Sequence, residues 1–187
     1  MIREYLILGH PRTGTGYMAK LFQANGYDVG HEIVGEHGTS NWQFAVKAKE
    51  YPFASDHFKR QEIEFANIYH VIRHPLHAIN SIAAIEQRSE PFRAKYIPLT
   101  GNVFEKAILS LYGWTMLIQS QMPHKTFTLD NAQKILGFPN GCDRYNVTEH
   151  ENLVEYDIKR QCNAVVWEYY ICMAHFYNDL LKEEGNA

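Results

Sequence analysis

The segment Tyr5-Leu6-Ile7-Leu8-Gly9-His10-Pro11-Arg12-Thr13-Gly14-Thr15-Gly16-Tyr17 limits the possible folds more than any other part of the chain. Tyr5 to Leu8 is a short apolar run that reads as a buried strand. Tyr17-Met18-Ala19-Lys20-Leu21-Phe22 reads as a helix with Met18, Leu21 and Phe22 on one face. Between them, Gly9, Gly14 and Gly16 let the backbone turn tightly and present its N–H groups. A strand that passes through such a turn directly into a helix is the opening unit of a parallel α/β sheet. Further strands are predicted at 28–32, 68–72 and 125–129. Predicted helices are a short one capped by Ser40 and carrying Trp42, Phe44 and Ala45, one from Pro75 to about Gln87, one over 102–121, one over 131–136 ended by Gly137, and a last one over about 161–183. In the last helix Val165, Tyr169, Cys172 and Phe176 fall at helical spacing. Residues 88–101 read as a loop and 138–160 as a polar, irregular stretch. The expected fold class is α/β: a three-layer α/β/α arrangement with a central parallel sheet, in one domain spanning residues 1–187.

Composition narrows the function classes. Of 187 residues, 45% are hydrophobic and 21% charged, which suits a packed domain and not a disordered chain. The net charge of -3 argues against a protein that coats nucleic acid, although a local basic pocket is compatible with it. Cys142, Cys162 and Cys172 are odd in number and lack Cys-x-x-Cys spacing, against a disulfide framework or a structural zinc site. No apolar run is long enough to span a membrane, and the one before Gly9 is too short for a secretory leader. The expectation is a cytoplasmic protein with neither a membrane nor a nucleic-acid partner. On that basis the Asn146-Val147-Thr148 sequon is a chance match.

The 9–16 turn is built for an anion. A helix N-terminus behind exposed backbone N–H groups favours negative charge. Thr13 and Thr15 add hydroxyls, and Arg12 adds a planar cation suited to bidentate oxyanion contact. Gly9 and Gly14 have the spacing of a Walker-type phosphate loop, but Thr15 stands where its lysine belongs. No apolar run ending in paired acids is available to hold magnesium, so no metal is expected. The alternative for this segment is a Gly-rich strand-to-helix turn without a ligand.

A second candidate anion site follows the 68–72 strand. Arg73 stands at its carboxyl end, the edge at which open parallel sheets bind ligands. Pro75 opens a helix, and Ser81 lies about two turns inside it. The alternative here is a surface arginine and a solvated helix serine. A loop for one anionic group and an Arg/Ser pair for another suggest a doubly phosphorylated nucleotide.

On these residues the chain resembles the PAPS-dependent sulfotransferases (PAPS is 3′-phosphoadenosine-5′-phosphosulfate). Pro11-Arg12-Thr13-Gly14-Thr15-Gly16-Tyr17 resembles their 5′-phosphosulfate loop, usually written PKSGTTW, and Arg73 with Ser81 resembles their 3′-phosphate motif. Arg12 replaces the usual lysine, Gly16 the second threonine, and His74 stands where Asp is frequent. Tyr17 holds the tryptophan position and would offer adenine a stacking face. The resemblance implies a P-loop nucleoside-triphosphate-hydrolase-like fold and PAPS as sulfuryl donor. Arg12, Thr13, Gly14, Thr15, Gly16, Tyr17, Arg73 and Ser81 would bind that donor, and a small-molecule or carbohydrate hydroxyl would accept the sulfuryl group.

The base is open among three residues. Glu32 matches the glutamate base of the glycosaminoglycan-type members and is the first choice, with a helix cap or ion-pair partner as its alternative role. His31 is adjacent, and His57, in Ser55-Asp56-His57-Phe58-Lys59, occupies the region where cytosolic members carry a histidine. Arg12 would contact the transferring group. His10 would either contact a sulfate oxygen or pack the turn. His70, His74 and His77 straddle strand, turn and helix, and so are poor metal ligands. Trp42, Trp114 and Trp167 read as core. Glu36-His37-Gly38 would line the acceptor pocket or form a surface loop, and the basic stretch with Arg88, Arg93 and Lys95 would close over the site or lie in solvent. A P-loop nucleotide or small-molecule kinase and a non-catalytic nucleotide-binding protein are the competing readings.

Overall fold

Strand β1 (Ile2–Leu8) alternates at its exposed start and is buried from Leu6 onward, as the central strand of a sheet covered on both faces must be. The computed structural model describes residues 1–53, 62–85, 87–143 and 153–185. After β1 come α1 (Thr15–Ala24), β2 (Val29–His31), β3 (Gly38–Ser40), a single 3-10 turn (Trp42–Ala45), β4 (Glu64–Ile72), α2 (Pro75–Ile85) and α3 (Glu90–Arg93). The chain continues through α4 (Val103–Gln119), β5 (Lys125–Thr128), α5 (Ala132–Leu136), α6 (Glu155–Gln161) and α7 (Ala164–Gly185). The five strands run in the order β2-β3-β1-β4-β5, and every pairing is parallel. The expected α/β class with a central parallel sheet is therefore present.

Successive residues of β1 serve opposite faces. Ile7 packs with Met18, Leu21 and Phe22 of α1 and with Val29, Val71 and Phe127. Leu6 and Leu8 pack on the other side with Trp42, Phe44, Trp114 and Ile118. A further apolar cluster joins α2, α4 and α7 through Ile79, Ile82, Leu111, Trp167 and Tyr170. Trp42, Trp114 and Trp167 are thus core residues, as expected. No helix among the described residues is long and apolar enough to cross a membrane.

Several expected elements shift. Ser40 ends β3 and caps nothing; Asn41 caps the following 3-10 turn, its side chain accepting from Gln43 N at 3.0 Å. β3 itself was unexpected because Gly38-Thr39-Ser40 offers no apolar residue. Gly38 is required there: at φ 150 a Cβ would lie 1.9 Å from the Tyr5 carbonyl oxygen of the adjoining strand. The expected 88–101 loop contains α3, and the expected irregular stretch contains α6. In α7 the buried stripe is Val166, Tyr170, Met173 and Tyr177, one residue on from the expected Val165, Tyr169, Cys172 and Phe176. The helix begins at Ala164, and Val166, Tyr170 and Met173 are the positions that meet the α2 and α4 cluster.

Candidate functional site

In an open parallel sheet the ligand crevice forms where neighbouring strands send their following loops in opposite directions. β1 leads through α1 to β2 at one edge, whereas β4 leads towards β5 at the other. The crevice therefore opens between the carboxyl ends of β1 and β4. Residues 9–14 and 73–74 occupy it. Gly14 forms the N-cap of α1 at φ 103, and a side chain there would meet Leu129 Cδ1 at 2.5 Å. The loop's amides thus lie at the positive end of α1.

Three non-glycine residues among those described have positive φ: Arg12 (79°), Glu32 (59°) and Met122 (49°). For a residue with a Cβ this conformation costs roughly 1–2 kcal/mol. Such strain persists where the surroundings over-determine it, which is often at a working site. Arg12 and Glu32 are both among the residues that the resemblance implies for the transfer chemistry.

The two anion sites are physically joined. Arg12 Nε donates to Ser81 Oγ at 3.1 Å, so the phosphate-loop arginine reaches the α2 serine. Arg73 Nη1 donates to the Arg12 carbonyl at 3.4 Å. One cationic side chain thus reaches α2 from the loop while another reaches back to the loop's backbone, so both lie at the crevice between β1 and β4.

The threonine hydroxyls turn inward. Thr13 is 2% exposed. Its N–H and Oγ1 both donate to the His10 carbonyl, at 3.0 and 2.8 Å. Thr15 Oγ1 meets His31 Nε2 at 3.3 Å, and the Thr15 carbonyl accepts from Ser40 Oγ at 2.8 Å. Both hydroxyls, expected as donors to an anion, instead tie the loop to its surroundings. Gly16 lies in the first turn of α1. Tyr17 is half-buried beside the α1 core cluster.

Glu32 follows β2 directly. Its N–H donates to the Ser40 carbonyl at 3.2 Å, and its Oε1 accepts from Trp42 Nε1 at 2.7 Å. The sequence places Trp42 in the core alone. It is core, at 3% exposed, but its indole N–H also fixes the Glu32 carboxylate. The sequence carries no signal for this contact, because β3, the strand that brings Trp42 alongside Glu32, has no apolar residue. Burial pushes the neighbouring His31 down from its ordinary pKa, with the Glu32 charge opposing that shift. His57 lies outside the described residues.

Other expected positions resolve differently. The His10 ring is 1% exposed and bonded to protein groups, which leaves it no route to a sulfate oxygen. Arg93, expected in a solvated basic loop with Arg88 and Lys95, is 2% exposed in α3 and donates through Nη1 to Ser89 Oγ, while Arg88 and Lys95 are exposed. The signal missed was Ser89 ahead of Glu90-Pro91, a helix start with proline in its first turn. Glu36 and His37 precede β3 and Gly38 opens it, at the opposite end of the sheet, where His37 packs edge-on against Tyr27, so the segment does not line the crevice. His70 is buried and pushed down to about 3, accepting from Gln119 Nε2 at 2.7 Å, while the His74 and His77 rings pack 5.3 Å apart. Among the described residues no group of three His, Cys, Asp or Glu is placed to hold a metal ion. Compared with protein-family models, curated proteins and solved structures, the chain matches none.

Proposed function

We propose that this chain is a PAPS-dependent sulfotransferase of P-loop nucleoside-triphosphate-hydrolase-like architecture, working in the cytoplasm on a hydroxyl acceptor such as a carbohydrate. The observation that carries the reading is the contact of Arg12 with Ser81 while Arg73 holds the Arg12 carbonyl. A donor with one anionic group at its 5′ end and another at its 3′ end would span these joined sites. The loop amides and Arg12 would take the 5′-phosphosulfate. Arg73 and Ser81, whose hydroxyl proton is still available once Oγ accepts from Arg12, would take the 3′-phosphate. Tyr17 would stack on adenine.

Sulfuryl transfer from such a donor depends on positioning and charge stabilisation, much as phosphoryl transfer does. Glu32 takes the proton of the acceptor hydroxyl while that oxygen bonds to sulfur. The bond from sulfur to the 5′-phosphate oxygen breaks, and Arg12 neutralises the charge left on the phosphate. The products are the sulfated acceptor and adenosine 3′,5′-bisphosphate. The Trp42 N–H holds the carboxylate in place, and no residue in the scheme requires a metal.

Replacing Glu32 by Gln tests the scheme. Transfer should fall by about 10²- to 10⁴-fold, the usual contribution of a positioned general base, with the affinity for adenosine 3′,5′-bisphosphate nearly unchanged. Undiminished transfer would remove Glu32 as the base. Binding without transfer in the wild type would favour a nucleotide-binding protein, and turnover of ATP with magnesium would favour a kinase.

A further inference from the structure

His10 is a buried titratable group at the mouth of the crevice that the transfer scheme does not use. Its ring makes two hydrogen bonds, with Nδ1 2.5 Å from the Pro11 carbonyl oxygen and Nε2 2.8 Å from Ser110 Oγ on α4. A carbonyl oxygen can only accept, so Nδ1 carries a proton. Burial, reinforced by the charge of Arg93, holds the ring well below its ordinary pKa and therefore neutral. A neutral imidazole has one N–H, so Nε2 is an acceptor and Ser110 Oγ donates to it. The Pro11 carbonyl thereby selects the tautomer, and Ser110 satisfies the nitrogen that is left bare.

The Pro11 carbonyl belongs to the peptide that leads into Arg12, the strained residue of the loop. All described peptides are trans, and in a planar trans peptide the C=O and N–H point in opposite directions. Drawing the Pro11 oxygen to the buried ring turns the Arg12 N–H away from that ring. The His10 carbonyl meanwhile accepts from Thr13 N and Thr13 Oγ1. One residue thus holds the loop on both sides of Arg12, and its bonds offset the cost of the left-handed backbone there.

We infer that His10 is the positioning residue of the anion-binding loop, its Nδ1–H holding the Pro11 carbonyl so that the Arg12 amide and guanidinium face the bound anion. This rests on the proposed donor site for the identity of the anion but not for the geometry. The ligand would be any phosphate or phosphosulfate group seated on the 9–14 loop.

Two measurements test it. Long-range ¹H–¹⁵N spectra of the ligand-free protein at neutral pH report the tautomer. The expected His10 pattern is a protonated Nδ1 and a bare Nε2; a protonated Nε2 would overturn the inference whatever the nucleotide does. In the second, an asparagine at this position can place its amide N–H where Nδ1 stands, whereas a glutamine reaches towards Ser110 and leaves Pro11 unbonded. Binding of adenosine 3′,5′-bisphosphate should weaken at most about threefold in His10→Asn and about tenfold or more in His10→Gln, at similar melting temperatures. Equal losses that track melting temperature would show a packing role only and overturn the inference. If the wild type ignores the bisphosphate, the sulfotransferase reading fails. The tautomer, together with the same two variants titrated with inorganic pyrophosphate, then still decides the role of His10.

Discussion

Arg12 and Glu32 reach left-handed backbone by different means: a buried histidine on one side of the crevice, and the start of the β2–β3 connection with an indole N–H on the other. Trp42→Phe removes that N–H from Glu32 and keeps a smaller aromatic ring in the core. Losing a hydrogen bond to a charged group is worth about 1.5–3 kcal/mol, so transfer should slow by roughly 10- to 100-fold with nucleotide affinity unchanged. An unaltered rate would mean that the Glu32 carboxylate is not held for chemistry. Gly14 tests the loop itself. With φ 103 and a Cβ that would press on Leu129 at 2.5 Å, Gly14→Ala should lower stability by about 1–3 kcal/mol in urea titration. At this scale the sequence revealed which residue types gather at the crevice, because Pro11-Arg12-Thr13-Gly14 and Arg73 carry their chemistry in their identity. It did not reveal that Thr13 and Thr15 turn inward or that Trp42 touches Glu32, since direction depends on how the loop turns and how β2 and β3 pair, which residue identity does not record.

Secondary elements were readable where they carry apolar periodicity or capping residues, as in β1, β4, α1, α2 and α4. They were not readable where burial comes from position. β3 is buried throughout because β1 and β2 enclose it, and its three small residues show no alternation. α6 does carry a signal, with Glu155 and Asp157 in its first turn and Lys159 and Arg160 in its last, which complements the helix dipole. α7 closes on the sheet through Glu184, which is buried and accepts from Thr128 N and Thr128 Oγ1, each at 2.7 Å, and from Asn131 Nδ2 at 2.8 Å. Glu184→Gln turns an amide nitrogen towards one of these donors and should cost roughly 1–3 kcal/mol in urea unfolding. An unchanged midpoint would show that α7 does not anchor the end of β5.

The molecule as a whole carries an acid sensitivity in its buried histidines. Burial lowers the pKa of His10, His31, His70 and His74, with His70 reaching about 3. The unfolded chain therefore binds more protons than the folded one below the ordinary histidine value, and stability must fall as the pH drops through that range. For His70 the loss begins near 6.5 and levels off near 3. Urea midpoints should decline from pH 7 to pH 4, and His70→Asn should flatten the slope even though it lowers stability at pH 7. A pH-independent midpoint would contradict the burial of these rings. The strand order β2-β3-β1-β4-β5 was beyond the sequence, because it depends on which crossovers pass over β1. Yet this order is what brings the two anion motifs to one crevice, and the central claim rests on their union. Calorimetric titration with adenosine 3′,5′-bisphosphate, with ADP and with ATP–magnesium as controls, tests that claim most directly. The account predicts tight binding of the bisphosphate, lost in Arg73→Ala and absent for ATP–magnesium. Indifference to the 3′-phosphate, or a preference for ATP with magnesium, would contradict it.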